Sequence, residues 1–392
     1  DDVRNGLMQR RAEVRAALEV LVKQQYASES DGEYKYLSAA ERDIEQEIVS
    51  EPVKSAEVRR SAREMLTDLL SNTGRLNYKG GTTTFDFRVV ADGQELRSRG
   101  DITLEIYSPI YVEFGNVEPE IVRDVQSPHE EQTVYWLPAP ITSLAPDFRR
   151  MIQIQEVVGR RASRPNVDRV EAIILRDKER DVDLLKGRLQ AAMRRALASG
   201  SIVYLGDESD LDGRTANLNV IFNRELADVI PTVYTKFYMA DVKVQQGSID
   251  RMLTTRPANL PDIEPDLNLW DTSGTEPRIS TTTAVVSEIL GELERRRDQG
   301  RDLSGSAVSG HFEAVPYGWN PILVRIVLAA LFRAGRITIM YEGKRYTDPG
   351  LSVAQQALTG TRNFWRARFL PEEGLQLEER RRAQQQLDLL FD

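Results

Sequence analysis

Residues 321–334 are almost continuously apolar, which predicts a helix that is buried or covered by a partner. Asn320 is its predicted N-cap, and Pro321 takes a first-turn position whose N–H would lack a partner in any case. Gly335 follows the last apolar residues and ends the helix. Local signals therefore mark both ends of this helix.

The pattern after this helix changes from helical to alternating. Residues 336–346 form two short alternating runs on either side of a tight turn at residues 342–343. Two further helices are predicted before the apolar one, over residues 281–297 and 303–315. Three helices followed by a β-hairpin predict a winged-helix domain over residues 279–350.

The first fifty residues repeat part of this order of helix followed by β-hairpin. Apolar residues recur at helical spacing, and a turn at residues 31–32 then precedes a tyrosine-rich run. Ser38 and Glu41 have the spacing of a capping box, which begins the next helix. These features predict a partial winged-helix-like module over residues 1–50.

A helix and a β-rich unit are predicted over residues 51–145. The helix covers residues 57–70, and from residue 82 the apolar positions recur with a period of two. The predicted strands cover residues 85–89, 102–106, 111–114 and 133–137.

Residues 146–200 predict a long helical hairpin. Its apolar stripe comprises Val170, Ile173, Ile174, Leu184, Leu185, Leu189, Met193 and Leu197. Residues 176–183 are nearly all charged, so the middle of the hairpin is expected to protrude from the body. Such an arm fits a lever or a docking element, and a simple solvated face remains the alternative.

A small α/β segment is predicted over residues 201–255, with strands over 201–205 and 218–222 and an acidic loop over 206–213. The loop has some likeness to a calcium loop, but it starts with Glu208 and has Asn219 at the twelfth position instead of glutamate. A polar turn is therefore preferred.

Two further segments complete the predicted organisation. The proline-rich residues 256–278 are predicted to be a linker, and residues 351–392 a helical tail. The predicted fold class is thus mixed α/β (α+β) and multidomain.

The amino-acid composition excludes several classes of function. The 392 residues are 41% hydrophobic and 29% charged and contain no cysteine, which excludes disulfides and thiolate chemistry. No apolar run approaches the roughly 20 residues needed to span a bilayer, so no membrane association is expected. The chain begins without methionine, and we expect it to be a piece of a longer cytoplasmic polypeptide.

No catalytic motif is found. The chain has no phosphate-binding G-x-x-x-x-G-K-[ST] sequence and no G-x-S-x-G nucleophile elbow. His129 and His311 lie far apart in sequence and suggest surface or capping roles. No catalytic, metal or cofactor residue is therefore assigned, although a pair of carboxylates brought together by folding stays open.

Net charge bears on nucleic-acid binding. The chain carries a net charge of −9, but residues 147–195 contain 13 Lys or Arg against 8 Asp or Glu. The apolar helix over 321–334 has few polar side chains for base edges, so a structural or protein-docking role is preferred to DNA reading. The candidate DNA or phosphate contacts are Arg188, Arg194, Arg195, Arg325, Arg333, Lys344 and Arg345.

Four segments together resemble a known family. They are Gly32-Glu33-Tyr34-Lys35-Tyr36-Leu37-Ser38, Gly100-Asp101-Ile102, Gly200-Ser201-Ile202-Val203-Tyr204 and Pro316-Tyr317-Gly318-Trp319. The combination resembles the BrxC family of P-loop proteins in BREX phage-resistance systems, and equally the related PglY proteins of phage growth limitation systems.

The resemblance implies a region downstream of the family's ATPase domain. ATP and Mg²⁺ are then expected for the parent protein, and no cofactor for these residues, which lack the Walker motifs. The implied function is a non-catalytic scaffold that assembles with other BREX-system proteins. Direct DNA binding is the alternative, and self-association is a further candidate.

Overall fold

The computed structural model describes residues 2–24, 26–30, 33–78, 83–165 and 167–372. Helices and strands are mixed along the chain, which confirms the α/β class. Within these residues, no helix combines the length and apolar character that crossing a membrane requires.

The elements up to residue 137 are α1 (Asp2–Lys23), β1 (Ala27–Ser30), β2 (Glu33–Tyr36), α2 (Ala39–Ser50), α3 (Ser55–Leu69), β3 (Arg75–Tyr78), β4 (Thr83–Ala91), β5 (Gln94–Arg97), β6 (Ile102–Ile106), α4 (Pro109–Glu113), α5 (Pro119–Ile121) and β7 (Thr133–Leu137). Those from residue 145 to 254 are α6 (Ala145–Ala162), α7 (Arg169–Ala198), β8 (Ser201–Tyr204), β9 (Asp207–Asp210), α8 (Leu218–Ala227), α9 (Ile230–Val233) and α10 (Gly247–Thr254).

The remaining elements are β10 (Trp270–Asp271), β11 (Arg278–Ile279), α11 (Ala284–Asp298), α12 (Gly305–Glu313), α13 (Pro321–Arg333), β12 (Ile337–Tyr341), β13 (Lys344–Tyr346), α14 (Ser352–Thr359), α15 (Thr361–Arg366) and β14 (Arg368–Pro371). The largest sheet has the strand order β3-β4-β6-β7-β8-β9, and β5 pairs with β4 beside this path. A smaller sheet has the order β13-β12-β14.

The described residues fall into two compact units. Unit 1 comprises Asp1–Thr73, Val89–Arg97 and Leu104–Ile221. Its core includes the fully buried side chains of Trp136 and Phe148. The Trp136 indole Nε1 donates a hydrogen bond of 2.9 Å to the carbonyl of Leu197, which ties β7 to the end of α7.

Unit 2 comprises the described residues within 74–88, 98–103 and 222–372. Its centre is α13, in which every residue from 323 to 332 is buried. Trp319 is 1% exposed, stacks on Phe312 at 4.9 Å between ring centroids, and donates from Nε1 to the carbonyl of Lys236. The apolar pattern over 321–334 thus specifies the main helix of this core.

Several local predictions are confirmed. Ser38 and Glu41 form the capping box of α2. Asn320 caps α13 by accepting a hydrogen bond of 2.9 Å from the Ile322 N–H. The turn at residues 342–343 has positive φ at both positions, as a two-residue hairpin turn requires.

Two predicted strands are helical. The strand expected over 111–114 was wrong, because Ser108 caps α4 and Pro109 starts it. The strand expected over 218–222 was also wrong: these residues begin α8, and the Asn217 side chain accepts a hydrogen bond from the Asn219 N–H at 3.1 Å. In both places a capping residue starts a helix, although the β-branched and aromatic residues that follow favour a strand.

The hairpin of α6 and α7 is present, but its charged middle does not protrude. Leu175 and Lys178 are buried. Lys178 Nζ lies 3.0 Å from a carboxylate oxygen of Glu45 on α2, so an ion pair within unit 1 satisfies part of the charged stretch.

Other irregular segments are also more ordered than expected. The acidic loop includes strand β9, which pairs with β8. The proline-rich residues 256–278 fold into short 3₁₀ turns, with Leu260, Ile263 and Leu267 buried. The predicted helical tail contains α14 and α15 but also β14, which pairs with β12; residues 373–392 lie outside the described residues.

Candidate interaction surface

Helix α7 provides the longest regular surface of unit 1. Its 30 residues extend about 45 Å at 1.5 Å per residue. Asp168 caps the start, with its carboxylate accepting hydrogen bonds of 2.7 and 2.8 Å from the Val170 and Glu171 N–H groups. Charge-assisted capping of this kind holds the first turn in place.

One side of α7 combines exposed aliphatic and cationic side chains. Successive helical residues turn by about 100°, so residues spaced by 3, 4, 7 or 11 share a stripe. Val170, Ile173 and Leu184 are 59%, 54% and 54% exposed. We call the stripe the α7 outer face, and it comprises Val170, Ile173, Asp177, Arg180, Leu184, Arg188 and Arg195, all exposed.

The sequence pattern alone predicts one apolar stripe that holds the apolar members of this face together with buried residues. The structure separates neighbours: Ile174 and Leu185 are buried, whereas Ile173 and Leu184 point away from the core. The paired aliphatics at 173–174 and 184–185 were the available signal, since adjacent residues cannot share one narrow face. The neighbouring elements cover only part of this wide apolar stripe, so the residues at its edge remain exposed.

Acidic residues of α2 hold the α6–α7 hairpin through a network of ion pairs. Arg161, whose side chain is 10% exposed, contacts Asp43, Glu47 and Glu171 at 2.7, 2.5 and 3.1 Å. Arg160 contacts Glu47 at 2.8 Å. Burial alone would raise the pKa of Glu47, but hydrogen bonds from the two arginines outweigh it and keep the pKa below its ordinary value.

A groove of about 750 Å³ lies beside the α7 outer face within unit 1. The buried side chains of Leu37, Ile154 and Leu185 line it together with Arg180 and Leu184 of the outer face. Its lining also mixes five cationic with five acidic residues. Apolar and mixed charged groups suit the side chains of a protein segment better than a single anion.

The structure divides the candidate phosphate contacts into two groups. Arg188, Arg194 and Arg195 are exposed on α7, and Lys344 is exposed on β13. Arg345 is exposed on the same hairpin and pairs with Glu372.

Arg325 and Arg333 have structural partners instead. Arg325 is 7% exposed, donates to the carbonyls of Leu358 and Thr359, and stacks over Phe364. Arg333 donates to the carbonyl of Leu253 at 2.9 Å. Because their guanidinium groups bind backbone carbonyls inside unit 2, these two arginines are not presented to a phosphate.

Glycines from the sequence motifs stand where the backbone leaves no room for a side chain. A Cβ at Gly100 would lie 2.0 Å from the carbonyl oxygen of Asp86, and one at Gly200 would lie 2.0 Å from that of Leu137. Gly318 has φ +62°, and its Cβ would meet the rings of Phe85 and Tyr234 at 2.8 Å. These motif positions specify packing and not catalysis.

Residues 51–222 match the family model described as BREX ATP-binding protein BrxC 4th domain with six-stranded beta sheet. The six strands along the order β3-β4-β6-β7-β8-β9 all fall inside this range. No solved structure matches the chain. The match and the six-strand path support residues 51–222 as a fragment of a BrxC-type BREX protein.

Proposed function

We propose that this chain is a non-catalytic scaffold of the BREX assembly and that the α7 outer face binds another protein of the system. The observation that carries the proposal is the exposure of three large aliphatic side chains along one stripe of a single helix, two of them three turns apart. Isolated exposed aliphatics are ordinary, but an aligned set beside a groove is typical of a docking face.

Charge on the outer face defines the chemistry of the partner. Arg180, Arg188 and Arg195 share the stripe with the aliphatic residues, and Asp177 is an acidic residue within it. A complementary occupant has apolar residues at helical spacing and a surplus of Asp or Glu between them. The proposed partner is therefore a BREX-system protein that presents an acidic amphipathic helix.

The region over 279–350 has the helix and hairpin order of a winged helix, and we propose that it too serves as a structural module. The burial of α13 supports this, because a recognition helix must present polar side chains to a DNA groove. ATP turnover with Mg²⁺ is assigned, in this proposal, to a P-loop of the parent protein and not to these residues.

The proposal is tested by binding of the 392-residue chain to each separately purified protein of the same BREX system. Substituting Ile173→Ser and Leu184→Ser together is expected to weaken the interaction by about tenfold or more, because truncation of an anchoring residue costs over 1 kcal/mol. Arg180→Glu with Arg188→Glu should weaken it further and reduce its dependence on salt.

The matched control is Val14→Ser with Val20→Ser, which removes two exposed aliphatics, 59% and 51% exposed, from α1. This pair is expected to leave binding unchanged. Equal affinities for the control and the α7 variants would contradict a docking role for the outer face, and so would the absence of binding to any system protein.

A further inference from the structure

Unit 2 contains a basic stretch within the predicted helical tail. Residues 349–371 include three arginines and no Asp or Glu, although the whole chain carries a net charge of −9. The three arginines are Arg362, Arg366 and Arg368, and all are exposed. A local surplus of positive charge in an acidic chain indicates a surface that meets an anion.

Trp365 lies among these arginines and is 53% exposed. The chain has four tryptophans, all within the described residues, and the side chains of Trp136, Trp270 and Trp319 are buried or half-buried. On α15, Arg362 lies three residues before Trp365 and four before Arg366, so the helical spacing sets all three side chains on one face. Two guanidinium groups thus flank an exposed indole.

The backbone beneath the indole is firmly held. Phe364 is 1% exposed and contacts the ring of Phe369 at 5.4 Å between centroids. The carbonyl of Ala367 accepts a hydrogen bond of 2.8 Å from the Gly305 N–H. Trp365 is therefore displayed between two anchored positions and not on a loose loop, so little entropy is lost when a ligand stacks on it.

The flanking guanidinium groups are available for a ligand. Among the described residues, neither Arg362 nor Arg366 has a hydrogen-bonding or ion-pair partner. The sheet register pairs Met340 with both Arg345 and Arg368, so these two side chains lie on the same sheet face on either side of Met340. Arg345 is itself paired with Glu372, so the guanidinium groups open to a ligand are those of Arg362 and Arg366 on α15.

We infer that α15 carries a binding site for single-stranded nucleic acid, in which a base stacks on the Trp365 indole and the adjacent phosphates contact Arg362 and Arg366. An aromatic face beside a basic track is what single-strand binding sites use, because every base has a stacking face and every linkage a charge. A duplex is a poor ligand here because its bases are already stacked and paired. The site lies in unit 2 and does not depend on the α7 outer face.

The test is fluorescence anisotropy of a labelled 15-nucleotide oligo(dT) titrated with the 392-residue chain at low and physiological salt. Trp365→Ala is expected to weaken binding at least about fivefold, the lower end of the range for one stacked base. Arg362→Glu with Arg366→Glu should lower the slope of log affinity against log salt by about 1.4, which is roughly 0.7 for each phosphate that is no longer neutralised.

A base-free phosphodiester strand of the same length separates stacking from charge. The effect of Trp365→Ala should disappear on this strand, whereas the double arginine variant should weaken it as it weakens oligo(dT). Arg169→Glu with Arg176→Glu, two exposed arginines of α7 outside its outer face, is the matched control and should change neither affinity.

Three results would each overturn the inference. They are the absence of oligo(dT) binding at low salt, equal affinities for the native chain and Trp365→Ala on oligo(dT), and a blunt duplex binding as tightly as the single strand. The last two would show that contact with phosphate explains the binding without base stacking.

Discussion

At the residue scale, Trp319 and Trp365 show how differently one residue type is used. Trp319 is 1% exposed among Phe312 and Tyr317, whose ring centroids lie 4.9 and 5.0 Å from its own. Trp365 is 53% exposed. The first contributes to the free energy of folding through packing, whereas the second remains available to a ligand.

Trp319→Ala is expected to lower the free energy of unfolding by about 3–5 kcal/mol, because it opens a cavity in the aromatic cluster and removes the hydrogen bond to Lys236. Urea unfolding followed by circular dichroism measures the change. Trp365→Ala is the control and should stay within about 0.5 kcal/mol of the native chain. A similar loss in both variants would contradict the different roles assigned to the two tryptophans.

At the element scale, the attachment of α2 to α6 and α7 combines apolar and ionic contacts. Ile44 and Ile48 of α2 are 1% and 0% exposed, and acidic residues between them pair with arginines of α6. Hydrophobic burial supplies attraction without direction, whereas the ion pairs define which helix faces meet. Removing one partner leaves the other charge partly buried, so the network is sensitive to single changes.

Acid should weaken this attachment. The pKa of Glu47 in the folded chain lies below its ordinary value of 4.5, so its ion pairs stabilise the fold above about pH 4.5. That stabilisation is lost as pH falls through the lowered pKa, because protonation removes the charge. Glu47→Gln is expected to cost about 1–2 kcal/mol at pH 7 and progressively less toward pH 3, measured by urea unfolding across that range.

The control for this series is Glu156→Gln, which removes an exposed carboxylate of α6 that has no ion-pair partner among the described residues. It should leave the free energy of unfolding nearly unchanged at both ends of the pH range. A cost for Glu47→Gln that stays constant with pH would show that its charge does not stabilise the fold.

At the scale of the whole molecule, we expect the acidic balance and the burial of α13 to oppose duplex binding. A net charge of −9 repels the DNA backbone, and the helix that would enter a groove is covered by its own unit. The exposed cations Arg194, Arg195 and Lys344 are too few to offset this charge.

We therefore expect no measurable binding of a labelled duplex at about 150 mM salt, and at most weak binding at low salt, measured by anisotropy. Arg194→Glu with Arg195→Glu, and separately Lys344→Glu, should make little difference at physiological salt. Tight duplex binding that these variants abolish would contradict the expectation and restore a direct DNA-binding role.

Local signals were sufficient for much of the secondary structure. The capping box at Ser38 and Glu41, the N-cap at Asn320 and the turn at residues 342–343 depend on neighbours within four residues, and all are confirmed. The apolar helix α13 and the α6–α7 hairpin also follow from periodicity, because each buries a continuous face.

Only the tertiary structure decided which side chains are covered. Ile173 and Ile174 are identical in chemistry and adjacent in sequence, yet packing against distant helices buries the second and leaves the first exposed. Nothing in the sequence distinguishes Arg325 from a surface arginine. In the structure it donates hydrogen bonds to the carbonyl of Leu358, 33 residues away.

The strand β14 is a further example, since its pairing with β12 joins segments about 30 residues apart. The sequence by itself determined the long periodic helices, the caps of α2 and α13 and the turn at residues 342–343, because these depend on neighbouring residues. The sheet order, the buried ion pairs and the two candidate binding surfaces depend on contacts between distant segments, which only folding brings together.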